Sequence, residues 1–194
     1  MGEDHQLGGI LHVCTGNQAR SPIAERLMEL GLRRRFGAAA DAIYVTSAGT
    51  RGPAGSPMQR MAVAELERRA ARHDNFVSQL LDLKAVERAH LVLTATRQHR
   101  DEIISQVPSA IRHTFTWREL AWLASGLKPG EVPGRYPLDR VARLAWVVTK
   151  RRGYLSPPPP EQFDIADPMG RPKQHYRVAA AQIEEAIESI LDVL

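Results

Sequence analysis

Residues 9–22 set the architecture of this chain and read Gly9-Ile10-Leu11-His12-Val13-Cys14-Thr15-Gly16-Asn17-Gln18-Ala19-Arg20-Ser21-Pro22. The apolar run over residues 9–14 predicts a short buried strand that ends at Cys14. Ser21 is a favoured helix N-cap and Pro22 suits the first helical position, so a helix is predicted to begin here. The segment is therefore a strand, a loop and a helix, with the cysteine at the carboxyl end of the strand.

The same alternation continues along the rest of the chain. Three further strands are predicted, over residues 43–47, 89–94 and 111–115. Later helices are predicted over residues 58–72, 83–87, 97–106, 117–125, 138–151 and 176–194. Strands that alternate with helices form parallel sheets covered on both faces. The sequence therefore predicts an α/β fold with a four-stranded parallel sheet flanked by helices.

Length and composition predict one globular domain over residues 1–194. The chain is 43% hydrophobic and 25% charged, and a chain of this size buries roughly 70% of its unfolded surface without a disulfide or a metal. No apolar run approaches the roughly 18 to 20 residues that span a bilayer. Residues 1–6 are polar and acidic, unlike a signal peptide, so we expect a cytoplasmic protein. We also expect a monomer or a weak homodimer.

Residues 126–160 interrupt the regular alternation and form a predicted insertion. Within it, one amphipathic helix is expected, with Val141, Leu144, Ala145 and Val148 facing inward. The four prolines over residues 157–160 predict a stiff extended connector, because proline fits neither a helix interior nor a central strand. This connector leads to the Asp167-Pro168 pair, ahead of the C-terminal helix.

Charge and cysteine content narrow the chemistry. The formal net charge is +4, which suits anionic substrates without identifying them. Cys14 is the one cysteine in the sequence, so an intrachain disulfide and a multi-cysteine zinc site are both excluded. A lone cysteine is either an inert core residue or a reactive thiol.

The loop after Cys14 has the composition of an anion cradle. Successive backbone N–H groups and a helix N-terminus favour a phosphate-like oxyanion, and the same field favours the thiolate form of Cys14, a nucleophile toward phosphorus. Arg20 offers a planar fork that binds two oxygens at once. The candidate anion-binding residues are those of the loop and the helix start, namely Thr15, Gly16, Asn17, Gln18, Ala19 and Ser21.

A thiolate that attacks a phosphomonoester also needs a proton donor for the leaving group. Asp167 is the best candidate, because Pro168 stiffens its loop and a neighbouring anion favours a protonated carboxyl group. Asp164 is the second candidate, since no proline follows it. Ser21 can donate a hydrogen bond to the thiolate, and Asn17 tolerates a positive φ.

Three motifs in order resemble the low-molecular-weight protein tyrosine phosphatase family. They are Val13-Cys14-Thr15-Gly16-Asn17-Gln18-Ala19-Arg20-Ser21-Pro22-Ile23-Ala24-Glu25, Thr46-Ser47-Ala48-Gly49-Thr50 and Asp167-Pro168. The resemblance implies hydrolysis of phosphotyrosine in proteins through phosphocysteine, with no metal or other cofactor. It also implies that Asp167 acts as acid and then base, that Asn17 and Ser47 brace the loop, and that Ser21 assists the thiolate.

The sequence departs from this family at two places. Many members carry a second cysteine where this chain has Ala19, so a protective disulfide within the loop is ruled out. The aromatic residues that border the substrate ring in tyrosine-specific members are replaced here by Arg51-Gly52-Pro53 and Met169-Gly170. Three aromatic residues could form a substitute wall, or simply pack the added helix on the body: Trp117, Tyr136 and Tyr154.

Two other functions remain open at this point. The first is an arsenate reductase that uses an external small thiol or redoxin, because the internal disulfide relay needs two more cysteines. The second is a non-catalytic binder of phosphorylated protein or nucleic acid, suggested by the basic charge. The proton donor favours an enzyme over a binder, so we expect phosphorylated proteins and phosphate-like oxyanions as partners, and neither nucleic acid nor membrane.

Overall fold

Four parallel strands form the centre of the computed structural model, which describes residues 8–194. The strands are β1 (Gly9–Cys14), β2 (Tyr44–Gly49), β3 (Leu91–Thr94) and β4 (Thr114–Thr116), in the order β2-β1-β3-β4. The helices are α1 (Arg20–Phe36), α2 (Arg60–Glu67), α3 (Leu83–Arg88), α4 (Arg97–Gln106), α5 (Trp117–Ala124), α6 (Pro137–Thr149) and α7 (Lys173–Val193). The predicted α/β fold is confirmed. Residues 1–6, on which the prediction about a signal peptide rests, lie outside the described range.

β1 is the central strand, and all six of its residues are buried. Ile10 and Cys14 belong to a large apolar cluster that includes side chains of α1, α2, α5, α6 and α7, whereas Leu11 and Val13 belong to a smaller one with α3 and α4. Helices therefore cover both faces of the sheet, which explains why β1 is apolar throughout. In the register, Cys14 lies beside Gly49, so the loops after β1 and β2 leave the sheet together.

The first helix begins two residues earlier than the sequence indicates. α1 starts at Arg20 with Ala19 as its N-cap, and no side chain caps it. The prediction that Ser21 is the N-cap is therefore wrong. Its hydroxyl oxygen lies instead within 3.0 Å of Cys14 Sγ, because Ser21 is buried under the loop.

Other boundaries differ because local backbone turns compete with the apolar pattern. The predicted fourth strand over residues 111–115 is shifted, since Pro108–Arg112 forms a 3-10 turn and only Thr114–Thr116 pairs with β3. α2 ends at Glu67 rather than at residue 72, shortly before Ala70 adopts a φ of 54°. α7 begins at Lys173, directly after a proline and ahead of the predicted residue 176.

The predicted helix of the insertion exists, as α6. It buries Val141, Leu144, Ala145 and Val148, which are the residues expected to face inward. All of them belong to the large cluster shared with α1 and α7. We therefore propose that the added helix and the sheet fold as one domain. Among residues 8–194, no helix combines the length and apolarity needed to cross a membrane.

The three aromatic residues considered for a substrate wall have different positions. Trp117 is fully buried in the large cluster, and its Nε1 donates a 2.8 Å hydrogen bond to His12 Nδ1. Trp117 therefore does not border the loop. Tyr136 and Tyr154 are 58% and 89% exposed, so the expectation that they pack the added helix on the body is wrong.

The single-domain proposal is tested by truncating one inward side chain of α6. Leu144→Ala removes a fully buried side chain, and we expect the free energy of unfolding to fall by about 2–5 kcal/mol in one cooperative transition. Trp146→Ala is the matched control on the same helix, because Trp146 is 60% exposed, and its cost should stay below about 1 kcal/mol. A separate unfolding step for α6 in urea titrations would contradict the proposal.

Candidate active site

The loop between β1 and α1 is held open by its neighbours on the β2 side. The carbonyl oxygens of Cys14 and Thr15 accept hydrogen bonds from the N–H groups of Thr50 and Arg51, both at 2.9 Å. The carbonyl of Gln18 accepts another from Gln59 N at 2.9 Å. Because these carbonyls point outward, the loop turns its N–H groups toward its own centre.

The N–H groups of residues 16–19 donate to no other group in the described part of the chain. A ring of unpaired N–H groups that ends at a helix N-terminus is a binding site for an oxyanion. Gly49 allows the close packing of this loop on β2, since a Cβ there would lie 2.7 Å from Thr15 O and 3.0 Å from Asn17 N.

Cys14 lies at the base of this loop and is 2% exposed. Its Sγ is 3.0 Å from Ser21 Oγ, which also lies 3.3 Å from the Ala48 carbonyl oxygen. Asn17 Nδ2 donates to the same Ser21 oxygen at 2.9 Å. The hydroxyl hydrogen of Ser21 is therefore left to point at the sulfur or at the carbonyl.

Asn17 has the left-handed backbone that its residue type tolerates, with a φ of 51°. Its Nδ2 also donates to Ser47 Oγ at 2.7 Å, and its Oδ1 accepts from Gln79 N at 2.8 Å. Ser47 Oγ in turn donates to the buried carboxyl group of Glu25. Burial raises the pKa of Glu25, while the hydrogen bond from Ser47 opposes that shift.

Arg20 connects the loop to the distant Asp167 segment. Its Nη1 donates to Ile165 O at 3.0 Å, and its Nη2 donates to Thr15 Oγ1 at 3.2 Å and contacts Asp167 Oδ2 at 2.7 Å. The guanidinium is 3% exposed, whereas the Asp167 side chain is 45% exposed. Arg20 Nε is buried without a partner among the described residues, so this side chain retains a donor for an anion.

Asp164, the second candidate for the proton donor, is occupied elsewhere. Its Oδ1 accepts from Arg97 N at 2.7 Å, and its Oδ2 accepts from Arg97 Nη2 at 2.9 Å. Next in the chain, Ile165 N donates to Ala95 O at 2.9 Å. Asp164 therefore fastens the Asp167 segment to the start of α4, and Asp167 alone of the two contacts Arg20.

The mouth of the loop is bordered by the residues that replace the family's aromatic positions. Arg51 is 61% exposed and pairs with Glu102 at 3.1 Å. Met169 is 40% exposed, and its sulfur lies 3.9 Å from the hydroxyl of Tyr176, which is buried behind it. No aromatic ring stands at these positions, so the mouth differs from a flat slot for a phenyl ring.

Two buried histidines flank the loop. His12 precedes Cys14 on β1, and burial lowers its pKa to about 3. His99 lies in the first turn of α4 with Nε2 2.9 Å from Thr15 Oγ1, and burial together with the charge of Arg20 lowers its pKa to about 4. Both side chains are neutral at neutral pH.

Sequence reasoning did not assign a role to several residues of this site. Glu25 and His99 are polar residues on otherwise ordinary amphipathic helices, and Gln79 contributes only its backbone N–H. The sequence could have indicated His99, because this histidine follows β3 at the same sheet edge as Cys14 and is therefore close to the loop. Within residues 8–194, no group of three His, Cys, Asp or Glu side chains has an arrangement that could hold a metal ion.

Comparison with known proteins identifies the family. The model of the low molecular weight phosphotyrosine protein phosphatases matches residues 9–128, which contain the loop and the β2 motif. The chain belongs to this family. It is therefore a phosphatase, and its proton-donor candidate Asp167 lies beyond the matched segment.

Individual relatives of this phosphatase cover nearly its whole length. A protein-arginine-phosphatase of Bacillus subtilis (strain 168) is 37% identical over 182 residues, which covers 93% of each chain. A protein-arginine-phosphatase of Geobacillus stearothermophilus is 27% identical over 185 residues, or 95% of each chain. A solved low molecular weight protein tyrosine phosphatase from T. tengcongensis superposes with a TM-score of 0.66 at 23% identity, covering 96% of this chain and 99% of that one.

The buried, neutral His12 predicts a pH dependence of stability. In the unfolded chain His12 binds a proton below about pH 6.5, whereas in the folded protein its pKa is about 3. The unfolded state therefore binds more protons as the pH falls, and the free energy of unfolding decreases. His12→Gln keeps an acceptor for Trp117 but does not titrate. Between pH 6 and pH 5, the wild type should lose about 1 kcal/mol of unfolding free energy more than the variant. Parallel pH profiles in urea unfolding would contradict this expectation.

Proposed function

We propose that this phosphatase hydrolyses phosphoarginine in proteins through a phosphocysteine formed on Cys14. The contact that carries the chemistry is the 2.7 Å pair of Arg20 and Asp167, which brings a carboxyl group to the loop that surrounds the thiol. We place the enzyme in the cytoplasm as part of the same proposal, since the reducing conditions there keep a thiol such as Cys14 reduced.

In the first step, the thiolate of Cys14 attacks phosphorus while the hydroxyl of Ser21, 3.0 Å away, stabilises it. The N–H groups of residues 16–19 and the guanidinium of Arg20 bind the phosphoryl oxygens. The phosphoryl group displaces the Asp167 carboxyl group from Arg20. Asp167 then gives its proton to the leaving nitrogen as the P–N bond breaks and the S–P bond forms.

In the second step, the Asp167 carboxylate takes a proton from a water molecule as the water oxygen attacks phosphorus. The S–P bond breaks, inorganic phosphate leaves and the Cys14 thiolate is regenerated. Asp167 is left protonated, ready for the next turnover. The cycle consumes one water and needs no electron donor.

Three observations support phosphoarginine as the substrate. Both arginine phosphatases described above align with more than nine-tenths of the chain. The mouth of the loop has Arg51, Gly52 and Met169 at positions where a binding slot for the phenyl ring of phosphotyrosine would need aromatic side chains. A guanidinium leaving group is cationic, and the exposed Asp167 carboxylate suits such a group better than a phenol.

Phosphotyrosine is the second candidate substrate. The description of the matched family favours it. Met169 also offers a half-exposed thioether at the mouth, and sulfur makes favourable contacts with aromatic rings. One methionine is a weaker border than a pair of aromatic walls, so we expect lower specificity for this ester.

A substrate panel tests the proposal directly. Phosphoarginine, phosphotyrosine and phosphoserine peptides of matched sequence are compared for phosphate release, with p-nitrophenyl phosphate as a generic ester. We expect the highest kcat/KM on phosphoarginine and a loss on the order of 10³-fold or more in the isosteric Cys14→Ser. Faster hydrolysis of phosphotyrosine would replace the proposed substrate while keeping the chemistry.

Two further measurements separate the non-phosphatase alternatives. Arsenate-dependent oxidation of glutathione or of a redoxin, without phosphate release from any substrate of the panel, would support an arsenate reductase. Binding of phosphopeptide without turnover would support a non-catalytic domain. Hydrolysis by Cys14→Ser at the wild-type rate would contradict the assignment of Cys14 as the nucleophile.

The role of Asp167 is tested by leaving groups of different basicity. Asp167→Asn should lose about 10²–10⁴-fold in kcat/KM on phenyl phosphate, whose leaving group needs a proton in the first step, and much less in kcat/KM on p-nitrophenyl phosphate. Asp164→Asn is the matched control in the same segment, and any loss there should be equal for both esters. Equal losses on both esters in Asp167→Asn would instead indicate a structural role.

A further inference from the structure

The hydroxyl group of Thr15 joins the loop to the first turn of α4. Its Oγ1 accepts a 3.2 Å hydrogen bond from Arg20 Nη2 and lies 2.9 Å from His99 Nε2. On the other side of the ring, His99 Nδ1 lies 2.6 Å from Thr96 Oγ1. A continuous path of hydrogen bonds therefore runs from Thr96 through His99 and Thr15 to Arg20.

The positions of the protons along this path are assigned from the partners. The Thr15 oxygen has two lone pairs, so it can accept from Arg20 Nη2 while its one hydrogen points at His99 Nε2. In the tautomer that we assign, Nε2 is unprotonated and Nδ1–H donates to Thr96 Oγ1, whereas the other neutral tautomer reverses both bonds. The neutral ring that this pattern needs agrees with the low pKa of His99, about 4, caused by burial and by the charges of Arg20 and Arg51.

We propose that His99 is a positioning residue for the phosphatase reaction, which orients the Thr15 hydroxyl so that it holds the Arg20 guanidinium in place for the phosphoryl group. His99 touches neither the sulfur nor Asp167 in the structure. It acts through Thr15, and this inference rests on the proposed phosphocysteine chemistry.

Few other contacts restrain the Arg20 guanidinium in its plane. Nη1 is held by Ile165 O, whereas Nη2 is shared between Thr15 and Asp167. When the phosphoryl group displaces Asp167, Thr15 remains the neutral partner of Nη2. Without His99 as its acceptor, the Thr15 hydroxyl can rotate, and its lone pair no longer points at Arg20 at a fixed angle.

The expected effect is moderate and concerns orientation rather than bond breaking. In His99→Leu, we expect kcat/KM on p-nitrophenyl phosphate to fall about 10- to 100-fold, and the inhibition constant of inorganic phosphate to rise. His99→Gln, whose amide oxygen can accept from Thr15, should recover part of the loss. His113→Leu is the matched control, since His113 is a half-buried histidine that contacts Val86 O instead of the loop.

A double-mutant cycle shows whether His99 acts through Thr15. Thr15→Val removes the hydroxyl group, and a second substitution at His99 should then add little, because the path is already broken. Multiplicative losses in the double variant, or wild-type constants in His99→Leu, would overturn the proposal. Thermal melts report folding, and if His99→Leu is unfolded, His99→Asn serves in the cycle because its shorter amide does not reach Thr15.

Failure of the proposed function gives a different result. If the wild type releases phosphate from neither the phosphopeptides, phosphoarginine included, nor p-nitrophenyl phosphate, the proposed chemistry fails, and the cycle is then measured on the affinity for inorganic phosphate alone. If the wild type is active and His99→Leu has wild-type kinetic constants, the proposed phosphatase activity stands. Only the positioning role of His99 is then rejected.

Discussion

The left-handed backbone of Asn17 is the constraint on which the site depends. With a φ of 51° at Asn17, the chain turns between Cys14 and α1, where the N–H groups of residues 16–19 have no partner among the described residues. Such a backbone is unfavourable for most residues. Here the Asn17 side chain stabilises it by donating to Ser21 Oγ and Ser47 Oγ and by accepting from Gln79 N. The loop is thus shaped before any anion arrives, which lowers the cost of binding one.

The support for Asn17 extends to charged groups that a loop alone could not arrange. Ser47 comes from β2, the neighbour of β1 in the sheet, and it passes its own hydroxyl hydrogen to Glu25 on α1. Glu25 is buried and also lies 3.5 Å from Arg26. The hydrogen bonds from Asn17 to Ser47 and from Ser47 to Glu25 therefore depend on the packing of α1 on the sheet. The shape of the loop thus depends on the core behind it.

Electrostatics divide the work between two neighbouring carboxyl groups. Asp164 accepts hydrogen bonds from both the backbone N–H and the guanidinium of Arg97, and it fastens its segment to the start of α4. Asp167 is more exposed and has Arg20 as its ionic partner, which an incoming phosphoryl group would also bind. Two acids only three residues apart thus have different roles because their cationic partners differ.

The sequence by itself determined the local parts of this protein. Cys14, the loop and Arg20 are neighbours in the chain, so a strand, a turn and a helix start were enough to predict their arrangement, and the amphipathic pattern of α6 predicted its buried face. Tertiary structure decided what depends on contacts across many residues. Arg20 meets Asp167 and leaves Asp164 to Arg97, and Trp117 is in the core rather than at the mouth. Ser21 was predicted both to cap the helix and to donate a hydrogen bond to Cys14. The structure rejects the cap and places the hydroxyl oxygen of Ser21 3.0 Å from the sulfur, where the carbonyl of Ala48 on β2 lies beside it. Periodicity reports which face of an element is apolar, whereas such pairings depend on how the elements are placed around the sheet.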